Sequence, residues 1–275
     1  MKKSYTTVLS IAGSDGSGGA GIQADLKTIA ALGCYGLSAI TALTAQNTCD
    51  VESFTAVEPE FISHQIDVLN KDIRIDAIKI GMLGSQKAIG SIACSIRKMK
   101  SLRPIVLDTV LISSSGSHLL PEESIDELKR ELFPLARLIT PNLPEASKLT
   151  GRTELPSSKT EIRKVAEELL ITGPEAVLVK GGHMQGDRCE DLLLSGREER
   201  WFSSPRISTV NTHGTGCTLS SAIACFLAKG RGLEDAVAEG RNYLLGALEA
   251  GSFFRLGKGS GPLDHLYRYR QMPDR

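Results

Sequence analysis

The chain has 275 residues, 41% of them hydrophobic and 23% charged, which suits a globular protein and excludes a collagen-like or disordered chain. Lys and Arg number 32, and so do Asp and Glu, so the formal net charge is zero and the basic footprint of a nucleic-acid binder is missing. No apolar run reaches the roughly 18 residues that cross a bilayer. Six cysteines without a C-x-x-C pair, and five histidines without H-E-x-x-H, argue against a zinc site and point to reduced thiols in a cytoplasmic protein.

The first residues, MKKSYTTVLSIAGSDG, hold only a short apolar stretch and read as a strand at 6–12, not as a secretory signal. A helix is expected at 21–32 and a strand at 37–44, followed by a helix at 59–71 and a strand at 77–80. Further on come a helix at 86–99, a strand at 105–107, a helix at 121–132 and a strand at 138–139. A helix at 159–170 and a strand at 176–179 complete the alternation, and two consecutive helices follow at 216–229 and 233–250. The strands are continuous apolar runs, as expected where both faces are covered. Such β-α order implies an α/β fold, a mostly parallel sheet with helices on both faces. Segments 191–194 and 200–202 flank Gly196 and read as an antiparallel hairpin on the sheet edge. No Pro-, Gly- or Ser-rich linker and no repeat divides residues 1–275, so one domain is expected, with the tail after Gly251 docked on it.

Two glycine-rich turns stand out. The first, GSDGSGGAG from Gly13 to Gly21, contains a G-x-G-x-x-G spacing between a strand and a helix. A dinucleotide fold also wants an acid about 20 residues on, at the end of the second strand, and that region ends in Gln46 and Asn47. The loop is then either a tight turn or a substrate wall, with an oxidoreductase as a distant third reading. The second, Asn211-Thr212-His213-Gly214-Thr215-Gly216-Cys217, runs into an apolar helix. Small residues leave backbone N–H groups pointing outward, and a helix N-terminus adds partial positive charge, so the turn fits an anion. Cys217 falls in that first turn, where the same field lowers a thiol pKa; the alternative is a small buried hydrophobe. Asp108, Asn142 with Glu145, and Lys180-Gly181-Gly182-His183 each follow an expected strand, on the edge where open α/β sheets bind ligands. Carboxylates there suit Mg2+ and a lysine suits phosphate, although Glu145 also fits as an ordinary helix-start acid.

The blocks GSDGSGGAGIQADLKT, TALTAQNT, KIGML, ITPNLPEA, VLVKGGH and NTHGTGCTLS, in this order, resemble the hydroxymethylpyrimidine/phosphomethylpyrimidine kinases of thiamine biosynthesis, of the ribokinase-like superfamily. The resemblance extends from about Leu9 to Gly251 and includes the tail's GKGSGPL. It implies a ribokinase-like three-layer sandwich, ATP and Mg2+ as cosubstrates, a small-molecule pyrimidine alcohol as substrate, and a homodimer. Gln46 is then expected at the aminopyrimidine edge, Met82 and Gly13 against the ring, and Asp25 near the hydroxymethyl group. Cys217 matches the general base; Gly214, Thr215 and Gly216 match the backbone anion hole. Lys180 and Asn142 match positions at the nucleotide phosphates, and Asp108 and Glu145 positions acting through the metal. This chain departs from the family's D-P-V-M and following lid lysine with Asp108-Thr109-Val110-Leu111 and Ser114, and has Gly16 where Ser or Thr is usual. Losing Pro frees a turn and losing Lys removes a cation, which bears on the second phosphorylation more than on the first. The nearest rival is a pyridoxal kinase; Gln46, with one donor and one acceptor group, fits an aminopyrimidine better than a pyridine phenol. A sensor that kept the pocket without catalysis is a further alternative.

Overall fold

The computed structural model describes residues 3–100, 103–112, 119–182 and 186–270. Ser114, on which the lid argument turned, and His183 lie outside the described residues. In chain order the elements are β1 (Thr7–Ser14), α1 (Gly21–Ala31), β2 (Tyr35–Gln46), β3 (Val51–Ala56), α2 (Pro59–Asp72) and β4 (Ala77–Ile80). They continue with α3 (Gln86–Arg97), β5 (Ile105–Leu107), α4 (Ile125–Glu131), β6 (Leu138–Ile139), α5 (Leu143–Leu149) and α6 (Lys159–Leu170). The last are β7 (Ala176–Val179), β8 (Arg188–Ser195), β9 (Glu198–Pro205), α7 (Thr215–Ala228) and α8 (Leu233–Gly251).

Among the described residues the nine strands form one sheet in the order β3-β2-β1-β4-β5-β6-β7-β8-β9. The six from β2 to β7 are parallel, while β3 and the β8–β9 hairpin are antiparallel additions at the two edges. Side chains alternate across the sheet. Leu9, Ile11, Ile78, Ile80, Leu107, Ile139, Val177 and Val179 enter one core with α2 to α6; Val8, Ala77, Val106, Leu138 and Leu178 enter a second with α1, α7 and α8. Continuous apolar runs therefore serve two cores at once, which gives the expected three-layer α/β sandwich.

The chain leaves β1 toward β2 on one side and returns to β4 on the other. That reversal opens a crevice beyond the carboxyl ends of β1 and β4, where such sheets take ligands. Several elements differ from the sequence reading. β3 was not expected: five of its six residues are exposed, so it has no hydrophobic period and is held by backbone pairing to β2. The short α5 gives Glu145 the helix-start position that was one of its two readings. The helix expected at 121–132 is a 3-10 turn at Glu122–Ser124 followed by α4. The tail beyond α8 lies on the β2–β3 turn, where Thr48 Oγ1 accepts the N–H groups of Lys258 and Gly259 at 3.2 Å each. It also reaches the second glycine-rich turn, where His213 N donates to Gly261 O at 3.1 Å and the Asn211 amide donates to Phe254 O at 2.6 Å.

Candidate active site

The crevice is a cavity of about 670 Å³, within the range of small-molecule sites. Gly13, Gln46, Met82, Asp108, Asn142, Glu145, Lys180, Gly214, Thr215, Gly216 and Cys217 all line it. Residues of β1, β2, α5 and α7, and others just beyond the ends of β4, β5 and β7, thus converge on the carboxyl edge of the sheet. Gly13 and Met82 touch: a Cβ on Gly13 would lie 2.9 Å from Met82 Sδ. Met82 is steadied from behind, since the Thr41 hydroxyl donates to its carbonyl at 2.5 Å.

α7 is preceded by its N-cap Gly214, whose φ of 87° is a left-handed conformation open to glycine at little cost. A Cβ there would also run into Gly19 O of the first glycine-rich turn, so the two turns interlock. No side chain caps α7. The Thr215 N–H folds back to Thr212 O at 3.3 Å, whereas the N–H groups of Gly216 and Cys217 meet no acceptor among the described residues. Those two donors, with the helix field behind them, form the polar floor of the cavity.

The charged groups sit around that floor. Lys180 Nζ lies 3.0 Å from Asp108 Oδ1, which also accepts from Thr140 Oγ1 at 3.1 Å. Burial pushes the Asp108 carboxyl up, but Lys180 and Lys79 outweigh it and hold the group below its ordinary range. Asn142 and Glu145 form a capping box for α5: Glu145 N donates to Asn142 Oδ1 at 2.8 Å, and Asn142 N donates to Glu145 Oε2 at 2.9 Å. The Thr109 hydroxyl donates to the same Glu145 oxygen at 3.3 Å, a contact that proline at this position lacks. Burial, then Asp108, push Glu145 up to about 7 against the pull of Lys180. Glu145 therefore caps its helix and lines the cavity at the same time. The donor set of two buried carboxylates fits Mg2+, which takes one or two carboxylates and completes its octahedron with water and phosphate. Among the described residues no group of three or more His, Cys, Asp or Glu forms a closed metal cage.

One expectation needs correction. Cys217 occupies the first turn of α7, but its thiol is raised to about 11, not lowered. Burial is the largest cause, with the Asp25 and Asp108 carboxylates adding to it, against Lys79 and a Gly21 N–H that donates to the sulfur. Asp25, expected near the substrate hydroxymethyl group, is fully buried and is not among the residues that line the cavity. It accepts from Lys79 Nζ at 2.8 and 2.9 Å, from Ser10 Oγ at 2.5 Å and from Ser221 Oγ at 2.8 Å. Lys79 alternates with Ile78 and Ile80 and so faces the α1–α7 side, where burial opposes its charge but Asp25, together with Cys217 and Asp108, outweighs burial and keeps the ammonium charged. Sequence reasoning passed over Lys79, although a lysine inside the four-residue apolar strand AIKI was a signal. It also passed over Asp15 and His213, which line the same cavity as Gln46.

Comparison with known proteins places the chain in a family. The phosphomethylpyrimidine kinase family profile matches residues 15–264. The hydroxymethylpyrimidine/phosphomethylpyrimidine kinase of Salmonella typhimurium is 46% identical over 263 residues, 95% of this chain and 97% of that enzyme. Among solved structures, the phosphomethylpyrimidine kinase of Clostridium difficile is 41% identical with a TM-score of 0.76, covering 87% of this chain and 97% of that one. The ADP complex of Staphylococcus aureus pyridoxal kinase superposes with a TM-score of 0.89 at 30% identity, over 98% of this chain and 96% of that one. Pyridoxal kinases thus share the architecture at lower identity. With the family match spanning most of the chain, this protein belongs to the phosphomethylpyrimidine kinase family.

Proposed function

We propose that this chain transfers the ATP γ-phosphoryl group to 4-amino-5-hydroxymethyl-2-methylpyrimidine, and then a second phosphoryl to the monophosphate. The observation that carries this reading is one cavity holding three features: a ring wall of Gln46, Met82 and Gly13, an uncapped helix N-terminus at Gly216–Cys217, and the carboxylate pair Asp108–Glu145. A ring alcohol in the first region faces the donors of the second. Beyond them Ile207, Leu244, Leu245 and Leu248 give the cavity an apolar end suited to a nucleotide base.

In the transfer, the alcohol oxygen forms a bond to phosphorus, the bond to ADP breaks and the alcohol gives up its proton. Positioning and charge stabilisation dominate such reactions. The Gly216 and Cys217 N–H groups stabilise the oxygens of the migrating phosphoryl, and a donor of this kind is worth roughly 3 kcal/mol. Lys180, Asp108 and Glu145 border the phosphates; Mg2+, when bound at the two carboxylates, supplies charge that offsets them. Cys217 is the candidate for the alcohol proton. With its thiol near 11 it is protonated in the ligand-free protein, so it acts as a base only once the surrounding charge has changed. Positive charge arriving at Asp108 removes one of the influences that hold the thiol up.

A pyridoxal kinase reading rests on the shared architecture and has less support, because identity is 30% there against 46% to the Salmonella enzyme. Homodimerisation and a cytoplasmic location remain part of the proposal on the family resemblance; no helix among the described residues is long and apolar enough to cross a membrane. The test is a product assay with the pyrimidine alcohol, ATP and Mg2+ that resolves monophosphate from diphosphate. Both products are expected. Monophosphate alone removes the second step, and turnover of pyridoxal in preference to the pyrimidine removes the reading.

A further inference from the structure

The wall around Gln46 contains a pair that the phosphoryl transfer does not use, Asp15 and His213. Asp15 is buried, and its carboxylate accepts from Ser17 N at 2.8 Å, Ser17 Oγ at 2.7 Å and Ala20 N at 2.7 Å. Burial raises this carboxyl, but the bonds from His213, Ser17 and Ala20 outweigh it and keep the group ionised. His213 Nε2 lies 2.8 Å from Asp15 Oδ2. An ionised carboxylate only accepts, so Nε2 carries a hydrogen. A Cβ on Gly19 would run into the His213 ring, so that glycine seats the ring against the first turn.

The same His213 Nε2 is 3.3 Å from one terminal atom of the Gln46 carboxamide, and the other terminal atom is 3.3 Å from Thr44 Oγ1. The Thr44 hydroxyl has a single proton, and it is committed to Ser14 O at 2.7 Å because a carbonyl only accepts. Thr44 therefore meets Gln46 with a lone pair, and the single Nε2 hydrogen of His213, held chiefly by Asp15 at 2.8 Å, is shared with Gln46 at 3.3 Å as the longer arm of a three-centre bond. With Oε1 toward Thr44 and Nε2 toward His213, acceptor faces acceptor and donor faces donor. The opposite orientation satisfies both neighbours. The two ends of a carboxamide are nearly isosteric, so hydrogen bonding alone makes the choice.

We infer that Asp15 and His213 are a positioning pair that fixes the Gln46 carboxamide with its oxygen toward His213 and its NH2 toward Thr44, and so decides which ring edge the cavity accepts. The consequence for the ring rests on the function proposed above. Held in this way, Gln46 keeps one lone pair on the His213 side and one N–H on the Thr44 side. A ring that offers N–H to the first and an acceptor to the second fits, as a 4-amino group beside a ring nitrogen does. A 4-oxopyrimidine, with its carbonyl beside a ring N–H, presents the reverse order and is rejected. A carboxamide free to turn would accept either.

The orientation is tested first without substrate, by neutron diffraction from perdeuterated, ligand-free crystals. One deuterium is expected on His213 Nε2 and two on the Gln46 atom facing Thr44; two on the atom facing His213 overturn the inference. The consequence is tested by kcat/KM for the 4-amino and 4-oxo ring alcohols in the native protein and in His213→Phe, which keeps a ring against Gly19, with thermal unfolding as the check on folding. The native preference for the amino ring is expected to fall by about 10-fold or more, mainly through KM, the size expected when a buried polar match is lost. A folded variant that keeps the full preference overturns the specificity role. If the native protein turns over neither ring, the proposed function fails, while the neutron result still decides the amide.

Discussion

The turns at 13–21 and 211–217 look alike in sequence, both rich in glycine and both opening a helix, yet their backbones are used in opposite ways. In the first, the backbone is spent on the loop itself. Asp15 N donates to Gln23 Oε1, Ser17 N and Ala20 N donate to Asp15, and Gly18 N donates to Asp15 O, all within 2.7–2.9 Å. The Gly21 N–H turns to the Cys217 sulfur. In the second, no side chain caps the helix, and the N–H groups of Gly216 and Cys217 are left for a ligand. A G-x-G-x-x-G spacing therefore does not by itself make a phosphate cradle: a loop that satisfies its own donors has none to offer. The glycines of the first turn allow close approach, Gly13 to Met82 and Gly19 to His213.

The contrast can be broken at its strongest point by Cys217→Ala in the second turn. Turnover of the pyrimidine alcohol is expected to fall by about 10²–10⁴-fold, the usual worth of a general base, with KM nearly unchanged. Steady-state kinetics that give near-normal kcat would take the thiol out of the reaction and leave the backbone donors to carry it. Next in size is the buried pair that supports the floor. Asp25→Ala strands Lys79, with both side chains fully buried at 2.8 Å, and should cost about 3–5 kcal/mol in urea unfolding. A loss under about 1 kcal/mol would mean that Ser10 and Ser221 can hold Lys79 in other ways.

A pH dependence sharpens the picture of the floor. Glu145 titrates near 7 in the folded chain against an ordinary value of 4.5, so the fold favours its protonated form. Its contribution to stability is complete below about pH 4 and is lost as the pH rises through about 7. Ligand-free protein should lose stability between pH 5 and 8 by more than Glu145→Gln does, as read by denaturant midpoints; parallel curves would place the titration elsewhere. The smallest effect belongs to the first turn. A Cβ on Gly16 would meet only the Thr44 and Gln46 carbonyls at 3.9 Å, so Gly16→Ala should change stability and kcat/KM little, within about 0.5 kcal/mol. Gly214→Ala, with its positive φ and its contact to Gly19, is the disruptive counterpart.

Much of the architecture was legible because apolar runs of strand length alternate with helical periods. That pattern fixes the layers and places Asp108, Asn142 and Lys180 beyond strand ends. β3 was not legible, since all of VESFTA but Val51 is exposed and the strand is held by backbone pairing to β2. The sign of the Cys217 shift was also out of reach. A helix start in the sequence argues for a lowered thiol, but burial opposes it, and so do the Asp25 and Asp108 carboxylates, 192 and 109 residues away in the chain. The Asp15–His213 contact joins residues 198 apart, and no local pattern announces it.

The order of strands and helices, the two glycine-rich turns and the residue types at the sheet's carboxyl edge were determined by sequence, because they follow from local periodicity and from which residues tolerate tight turns. Tertiary structure alone decided which turn keeps free donors, which aspartate lines the cavity and which does not, and how the Gln46 amide faces. Those outcomes depend on desolvation and on the partners that distant segments bring within hydrogen-bonding range, and neither is set until the sheet has closed its crevice.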